Sequence, residues 1–340
     1  MELTATLAQL TGRQDLTHAE AHALFDTIMD GRVEPEMLAA LLTALATKGE
    51  CPDEIIGAAQ AMRSRVAHVA LPPNVVAIDT CSTGGDGRPT FNISTTVAIV
   101  AAAAGATVAK HGNRSNTRVS GSAEGLAALG INVEAGVPTL ERCLGNARIA
   151  FLYALKLHPA MKHAAPVRKT LGIRTIFNLV GPLTNPAGVR RQLLGVNRPD
   201  LVQTMTSALR ELGAERALVV HGLEGLCDLS LAGKSRVGRW DGQTLSVEEV
   251  DCRVIGAEPA PLEKLFVHSP QESAAVIEDV LAGSPGPARE VVAFNAAAAL
   301  WVAGLASDWS DGATRARAAI DNGAARQTLA RWRELSHAPK

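Results

Sequence analysis

Past Pro72 and Pro73 the sequence settles into an alternation that decides most of what the chain can fold into. Short aliphatic runs at residues 75–78, 107–109, 149–154, 192–196 and 217–221 are separated from one another by stretches of helical period. Such runs are too short for ordinary helices. Strands separated by helices pair in parallel, because a parallel neighbour needs a crossover connection. The pattern predicts an α/β fold, with a mainly parallel central sheet flanked by helices.

Before residue 72 only helical signals occur. Thr17 and Glu20 stand at capping-box spacing ahead of the apolar Ala23, Leu24, Ile28 and Met29. Glu34 and Pro35 open a second helix that Gly49 closes, and a third is expected from residue 52 to about residue 69. This stretch reads as a smaller all-helical unit. Residues 158–185 interrupt the later alternation with two short helices, and the last third holds at least three more, including 291–305 and 311–322.

At 340 residues the chain exceeds what one core organises, so two domains are expected. Its 33 Lys and Arg balance 34 Asp and Glu, and aromatics are 3 % of residues. There is no basic field for a polyanion and few platforms for stacked bases, so no nucleic-acid partner is expected. Five widely spaced cysteines (Cys51, Cys81, Cys143, Cys227 and Cys252) point to a reducing compartment. No leader pattern and no apolar run of about 18 residues is present, which predicts a cytoplasmic protein without a membrane partner.

The chemistry gathers at strand ends. STGGDG, at residues 82–87, follows the first strand and leads through Thr90, Asn92, Ser94 and Thr95 into a helix. Glycines let backbone N–H groups approach a phosphate, the helix start adds free donors, and the hydroxyls add more. The same residues could form a plain turn with Asn92 or Ser94 as an N-cap. The loop matches neither a Walker loop nor a dinucleotide fingerprint, and Asp86 within it requires a cation or a sugar hydroxyl between acid and phosphate. A second loop, KHGNR at residues 110–114, follows the next strand and runs through Ser120, Gly121 and Ser122 into another helix. Parallel strands present their C-terminal ends on one edge, so both loops should open into one crevice. Taken alone, His111 reads as structural, and Lys110 and Arg114 as solvated charges. Arg168 offers a planar fork suited to a carboxylate or an ordinary surface charge, with Arg174 nearby; Asp228, after the fifth strand, suits Mg²⁺ or a turn.

Together these segments resemble anthranilate phosphoribosyltransferases over nearly the whole chain. The likeness rests on DTCSTGGDGRPTFNIST at 79–95, KHGNR, HPAMKHAAPVRKTLGIRTIFNLVGPLTNP at 158–186 and NAAAALWVAG at 295–304. It implies a helical domain of residues 1–71 with 158–187, serving dimerisation and the aromatic substrate. It implies an α/β domain of residues 72–157 with 188–340 that binds phosphoribosyl pyrophosphate. Carried over by position, Ser82, Gly85, Asp86, Thr90, Asn92, Ile93, Ser94, Thr95, Lys110, His111, Gly112, Asn113, Arg114, Arg118 and Ser122 hold phosphoribosyl pyrophosphate. Ser82, Asn113 and Arg168 hold anthranilate, while Ser94 and Asp228 hold Mg²⁺. A homodimer is implied.

Several positions depart from the family pattern. Cys227 replaces an acid beside Asp228, which puts one metal site in question. Ser82 replaces the first glycine, Arg118 replaces a small hydroxyl residue, and Leu155 replaces a proline. The resemblance implies transfer of ribose from its pyrophosphate to an arylamine, by positioning and charge stabilisation without a nucleophile or base from the protein. Two alternatives are weighed: a pyrimidine nucleoside phosphorylase, disfavoured by Asp86 after the paired glycines, and a silent relative that binds nucleic acid or a partner, disfavoured by the neutral charge.

Overall fold

The computed structural model describes residues 2–114 and 120–337. Its first quarter is helical: α1 (Leu3–Thr11), α2 (His18–Met29), α3 (Pro35–Lys48) and α4 (Pro52–Arg63). The Thr17 and Glu20 capping box closes as expected, Pro35 opens α3, and Gly49 ends it at φ 89°. Helix α4 stops six residues short of the expected end. Tertiary hydrogen bonds take the chain over: Ala67 N–H donates to the Leu157 carbonyl (2.8 Å) and Val69 N–H to the Pro186 carbonyl (3.1 Å). No local breaker marks that boundary.

The alternating region supplies β1 (Ala77–Ile78), α5 (Ile93–Ala103), β2 (Thr107–Gly112), α6 (Ser122–Ala128), α7 (Val137–Ala147), β3 (Ile149–Tyr153), α8 (Ala154–Leu157), α9 (Ala165–Leu171), α10 (Ile176–Val180), β4 (Arg191–Gly195), α11 (Leu201–Glu211) and β5 (Arg216–Gly222). All five expected strands form. Two more were not expected, β6 (Ser235–Trp240) and β7 (Leu245–Val250), an antiparallel hairpin beside β5. The C-terminal helices are α12 (Pro270–Leu281), α13 (Pro287–Ala303), α14 (Trp309–Asp321) and α15 (Ala324–His337).

The strands lie in two hydrogen-bonded groups, β1-β2-β3 and β4-β5-β6-β7. An extension of β1 stitches them together, with Asp79 N–H donating to the Arg191 carbonyl (3.0 Å), Gly195 N–H to the Cys81 carbonyl (3.0 Å) and Thr83 N–H to the Gly195 carbonyl (2.8 Å). The order across the molecule is therefore β3-β2-β1-β4-β5-β6-β7, parallel through β5. Strand order reverses between β1 and β4, and at such a switch point the following loops splay apart and leave a crevice.

Both sheet faces are covered, so neighbouring strand residues point into different cores. Leu193, Leu218 and Val220 join a core built around α5 and the Ala-rich α13. Leu194, Ala217 and Val219 join a second core that contains α1 to α4 together with Val167, Ile176, Phe177 and Val180 from the 158–187 segment. The helices of that segment pack on α3 and α4.

Candidate functional site

At the switch point β1 delivers the STGGDG loop and β2 delivers KHGNR. Lys110 and His111 belong to strand β2 itself, paired with Phe151 and Leu152, and not to the loop that was expected to carry them. Both are buried, at 1 % and 4 % exposure, so Lys110 is no solvated charge. Its ammonium donates to the Thr80 carbonyl (2.9 Å) and to Ser94 Oγ (3.1 Å), joining the first strand end to the start of α5. Burial lowers the Lys110 pKa, while the carboxylates of Asp79 and Asp228 oppose that shift.

Asp79, fully buried, was not singled out from sequence. Its Oδ1 accepts from the His111 N–H (3.0 Å) and its Oδ2 from Asn185 Nδ2 (2.8 Å). Burial raises its pKa to about 6, against the pull of Asn185 and Lys110. His111 Nε2 meets His158 Nε2 at 3.0 Å, in an edge-to-face ring pair. Burial holds His111 well below the usual histidine range and pushes His158 down to about 4, so both rings are neutral at physiological pH. These contacts tie both ends of the 158–187 segment to the strands.

In the first loop Gly84, Gly85 and Gly87 take φ of 60°, 83° and 65°, which other residues rarely adopt. A Cβ at Gly85 would lie 1.6 Å from Arg174 Nη1. Asp86 Oδ2 accepts from the Cys227 N–H (3.0 Å), fastening this loop to the one after β5. Gly195 makes that approach possible, since a Cβ there would sit 1.8 Å from the Cys227 carbonyl oxygen. Ser82 pairs with Gly195 at the same edge. Thr90 and Thr95 keep buried hydroxyls without a hydrogen-bond partner among the described residues, so both retain donor capacity.

Asn92 behaves as a hub. Its Oδ1 accepts from Ser120 Oγ (2.8 Å) and Ser273 Oγ (2.6 Å), and its Nδ2 donates to the Ser120 carbonyl (3.4 Å). It stands at the N-cap of α5 without capping it. Ile93 is buried, with its N–H already donated to the Phe91 carbonyl (2.7 Å). Gly112 packs against Phe151, and Ser122 opens α6. Asn113 and Arg114 are exposed, Asn113 Oδ1 accepting from the Arg114 N–H (2.8 Å). Arg118 lies outside the described residues.

Ser94 and Asp228, the two expected metal ligands, line one small cleft together with Thr80 and Cys227. A hydroxyl and a carboxylate are the hard oxygen donors that Mg²⁺ takes, so these residues fit the ion, whereas the Cys227 thiol does not. Elsewhere Asp15, Cys51 and Glu54 cluster tightly, but the Lys48 ammonium fills that site, donating to Asp15 (2.6 Å) and Glu54 (3.0 Å).

Arg168, on α9, is half-buried over the Phe177 ring at 5.3 Å and has no hydrogen-bonded acceptor among the described residues. Burial lowers its pKa. A desolvated guanidinium with open donors suits a planar anion. Asn197, whose Oδ1 accepts from Thr83 Oγ1 (3.5 Å), and Ser273 escaped the sequence reading because neither sits in a motif.

Comparison with known proteins gives the same picture. The profile described as "Glycosyl transferase family, a/b domain" matches residues 74–326, and "Glycosyl transferase family, helical bundle domain" matches residues 4–66. The anthranilate phosphoribosyltransferase of Nitrosomonas europaea is 43 % identical over 337 residues, covering 99 % of both chains, and that of Anaeromyxobacter sp. is 48 % identical over 328 residues, 95 % of both. The Thermus thermophilus enzyme of the same name superposes with a TM-score of 0.91 at 39 % identity, covering 98 % of this chain and 99 % of that one. The Saccharomyces cerevisiae enzyme in complex with PRPP and Mg gives 0.88 at 26 % identity, covering 98 % and 97 %. No described helix is long and apolar enough to cross a membrane. With relatives this similar along its full length, the chain belongs to the anthranilate phosphoribosyltransferase family.

Proposed function

We propose that this protein transfers the 5-phosphoribosyl group of phosphoribosyl pyrophosphate to the amine of anthranilate, releasing pyrophosphate, a step of tryptophan biosynthesis. The observation that carries the reading is the junction of two glycine-rich strand ends through the buried Lys110 and Ser94 pair (3.1 Å). That junction builds an anion cradle of backbone N–H groups, hydroxyls and one ammonium at the switch point.

Residues of the two loops hold the donor, from Ser82 to the start of α5 and from Lys110 to Arg114, with Ser122 at the rim. Arg168 faces the acceptor carboxylate, with Ser82 and Asn113 beside the same substrate. Ser94 and Asp228 hold Mg²⁺, which when bound neutralises charge on the pyrophosphate. Bond breaking at ribose C1 leaves an oxocarbenium-like centre, the amine attacks from the face opposite the departing pyrophosphate, and the proton then shed by the nitrogen passes to the released pyrophosphate or to water. The arylamine lone pair needs no strong base, and the neutral His111 and His158 pair is engaged with itself, so catalysis rests on orientation and charge stabilisation.

The proposal extends to a division into residues 1–71 with 158–187 and 72–157 with 188–340, which the packing of α9 and α10 on α3 and α4 supports. It extends further to a cytoplasmic homodimer, which size-exclusion elution at twice the single-chain mass would support. The decisive assay follows anthranilate fluorescence with phosphoribosyl pyrophosphate and Mg²⁺, each omitted in turn. Loss of signal only in the complete mixture is expected; an unchanged signal there overturns the reading.

A further inference from the structure

Arg174 lies in the turn between α9 and α10, six residues beyond Arg168, yet its side chain ends in the other half of the site. Its Nη1 donates to the Gly84 carbonyl (2.9 Å) and its Nη2 to Asn197 Oδ1 (3.4 Å), the same oxygen that accepts from Thr83 Oγ1. Among the described residues no carboxylate bonds to it. Burial lowers its pKa, with Arg198 adding to that shift and with Cys227, Asp86 and Glu50 opposing it.

The contact fixes more than a distance. A peptide unit is planar and trans, so its C=O and N–H point in opposite directions. Pinning the Gly84 carbonyl on Arg174 therefore turns the Gly85 N–H away from the arginine. Gly84 and Gly85 both sit at positive φ, at 60° and 83°, where glycine crosses freely between conformations, and nothing in their own stereochemistry decides which way this peptide faces. The guanidinium also occupies the space a Cβ at Gly85 would need.

We infer that Arg174 is a positioning residue of the transfer reaction, bolting the 158–187 segment to the glycine-rich loop and setting the Gly84 to Gly85 peptide so that its N–H is available to the donor's phosphates. The inference rests on the proposed function for its substrates, but the bolt itself does not. It also links two halves of the site, since the segment that carries Arg168 is the one that orients the donor loop.

The test is steady-state kinetics of Arg174→Ala and Arg174→Lys together with backbone 15N relaxation of Gly84 and Gly85 in substrate-free protein. Arg174→Ala is expected to raise the donor KM by about tenfold or more while the acceptor KM moves less than about threefold, and to lower the Gly85 order parameter from a rigid value of about 0.85 to below about 0.6. Arg174→Lys, which can still donate to the Gly84 carbonyl, is expected to recover most of both losses. An unmoved donor KM with an unmoved order parameter overturns the inference. So does a fall in both substrates' binding together with melting temperature, with no rescue by lysine, because that is the mark of a merely structural arginine. If the wild-type protein transfers no ribose to anthranilate, the proposed function fails, and the relaxation measurement alone still decides the bolt.

Discussion

The two sides of the cleft that the proposed function gives to donor and acceptor are held by different means. On the donor side, Lys110, Asp79, Asn92 and Asp86 are each hydrogen-bonded to another strand, loop or helix, and the first three are almost fully buried. On the acceptor side Arg168 rides on the seven-residue α9, rests on one ring and has open donors, and nearby Ile173 is 49 % exposed. A polyanion needs its donors fixed before it arrives, since reorienting them later costs the binding energy they supply. A small monoanion can be met by one adjustable fork. The difference also predicts where mutations act: donor-side changes should cost stability and activity together, acceptor-side changes mainly binding.

The largest effect should come from Lys110→Met. Removing one member of a buried charged network leaves Asp79 without its cation, at a cost of about 3–5 kcal/mol in urea unfolding, and turnover should fall at least about 100-fold. Next comes Arg168→Ala, which should weaken anthranilate by roughly 2–4 kcal/mol, seen in its KM, with the urea midpoint moved by no more than the loss of its Phe177 ring contact, about 1 kcal/mol. A destabilised Arg168→Ala beside a fully stable Lys110→Met would reverse the comparison.

These two sides were not equally legible in the sequence. The donor loops announce themselves, because paired glycines after a short aliphatic run and hydroxyls at a helix start have a direct physical meaning. Arg168 gave a weaker signal, a planar fork that reads equally well as a surface charge, and only the family resemblance favoured the carboxylate. Burial of Lys110 and His111 was hidden by their charge: β2 runs on through them because β3 pairs with it as far as Tyr153. The β6 and β7 hairpin was missed because Arg236, Arg239, Glu248 and Glu249 break the aliphatic pattern on an edge that faces water, although Asp241 and Gly242 form a recognisable turn pair. The part Asn92 plays as a hub was invisible because Ser273 arrives from far along the chain. Contacts of that range leave no local trace.

The two sides meet at the His111 and His158 pair, which gives the comparison a pH signature. Folding holds His158 at about 4, below its ordinary 6.5, so as pH falls through that window the unfolded chain takes up a proton that the folded chain refuses. Stability present above 6.5 is then lost, by about 2 kcal/mol at pH 5 from this group. Asp79, raised from 3.8 to about 6, acts oppositely, since the folded chain protonates first and gains stability as pH falls from 6 toward 3.8. In His158→Gln the loss between pH 7.5 and pH 5, read from urea midpoints, should shrink by about 2 kcal/mol. An identical pH dependence would remove the junction from the account.

The smallest expected effect concerns Cys227, where the site departs from its family. The thiol donates weakly to the Gly84 carbonyl (3.9 Å), while the backbone N–H serves Asp86. Cys227→Asp keeps that backbone bond and places a second carboxylate next to Asp228, in the cleft that Ser94 lines. Without a cation, like charges so close should cost about 1 kcal/mol of stability. With Mg²⁺ the added hard oxygen should pay for itself, lowering the Mg²⁺ concentration for half-maximal turnover about three- to tenfold. Mg²⁺ titration of turnover, paired with urea unfolding with and without the ion, reads both arms. A substitution that destabilises equally in either condition would mean that residue 227 does not face the metal, and that the site works with Asp228 as its acid.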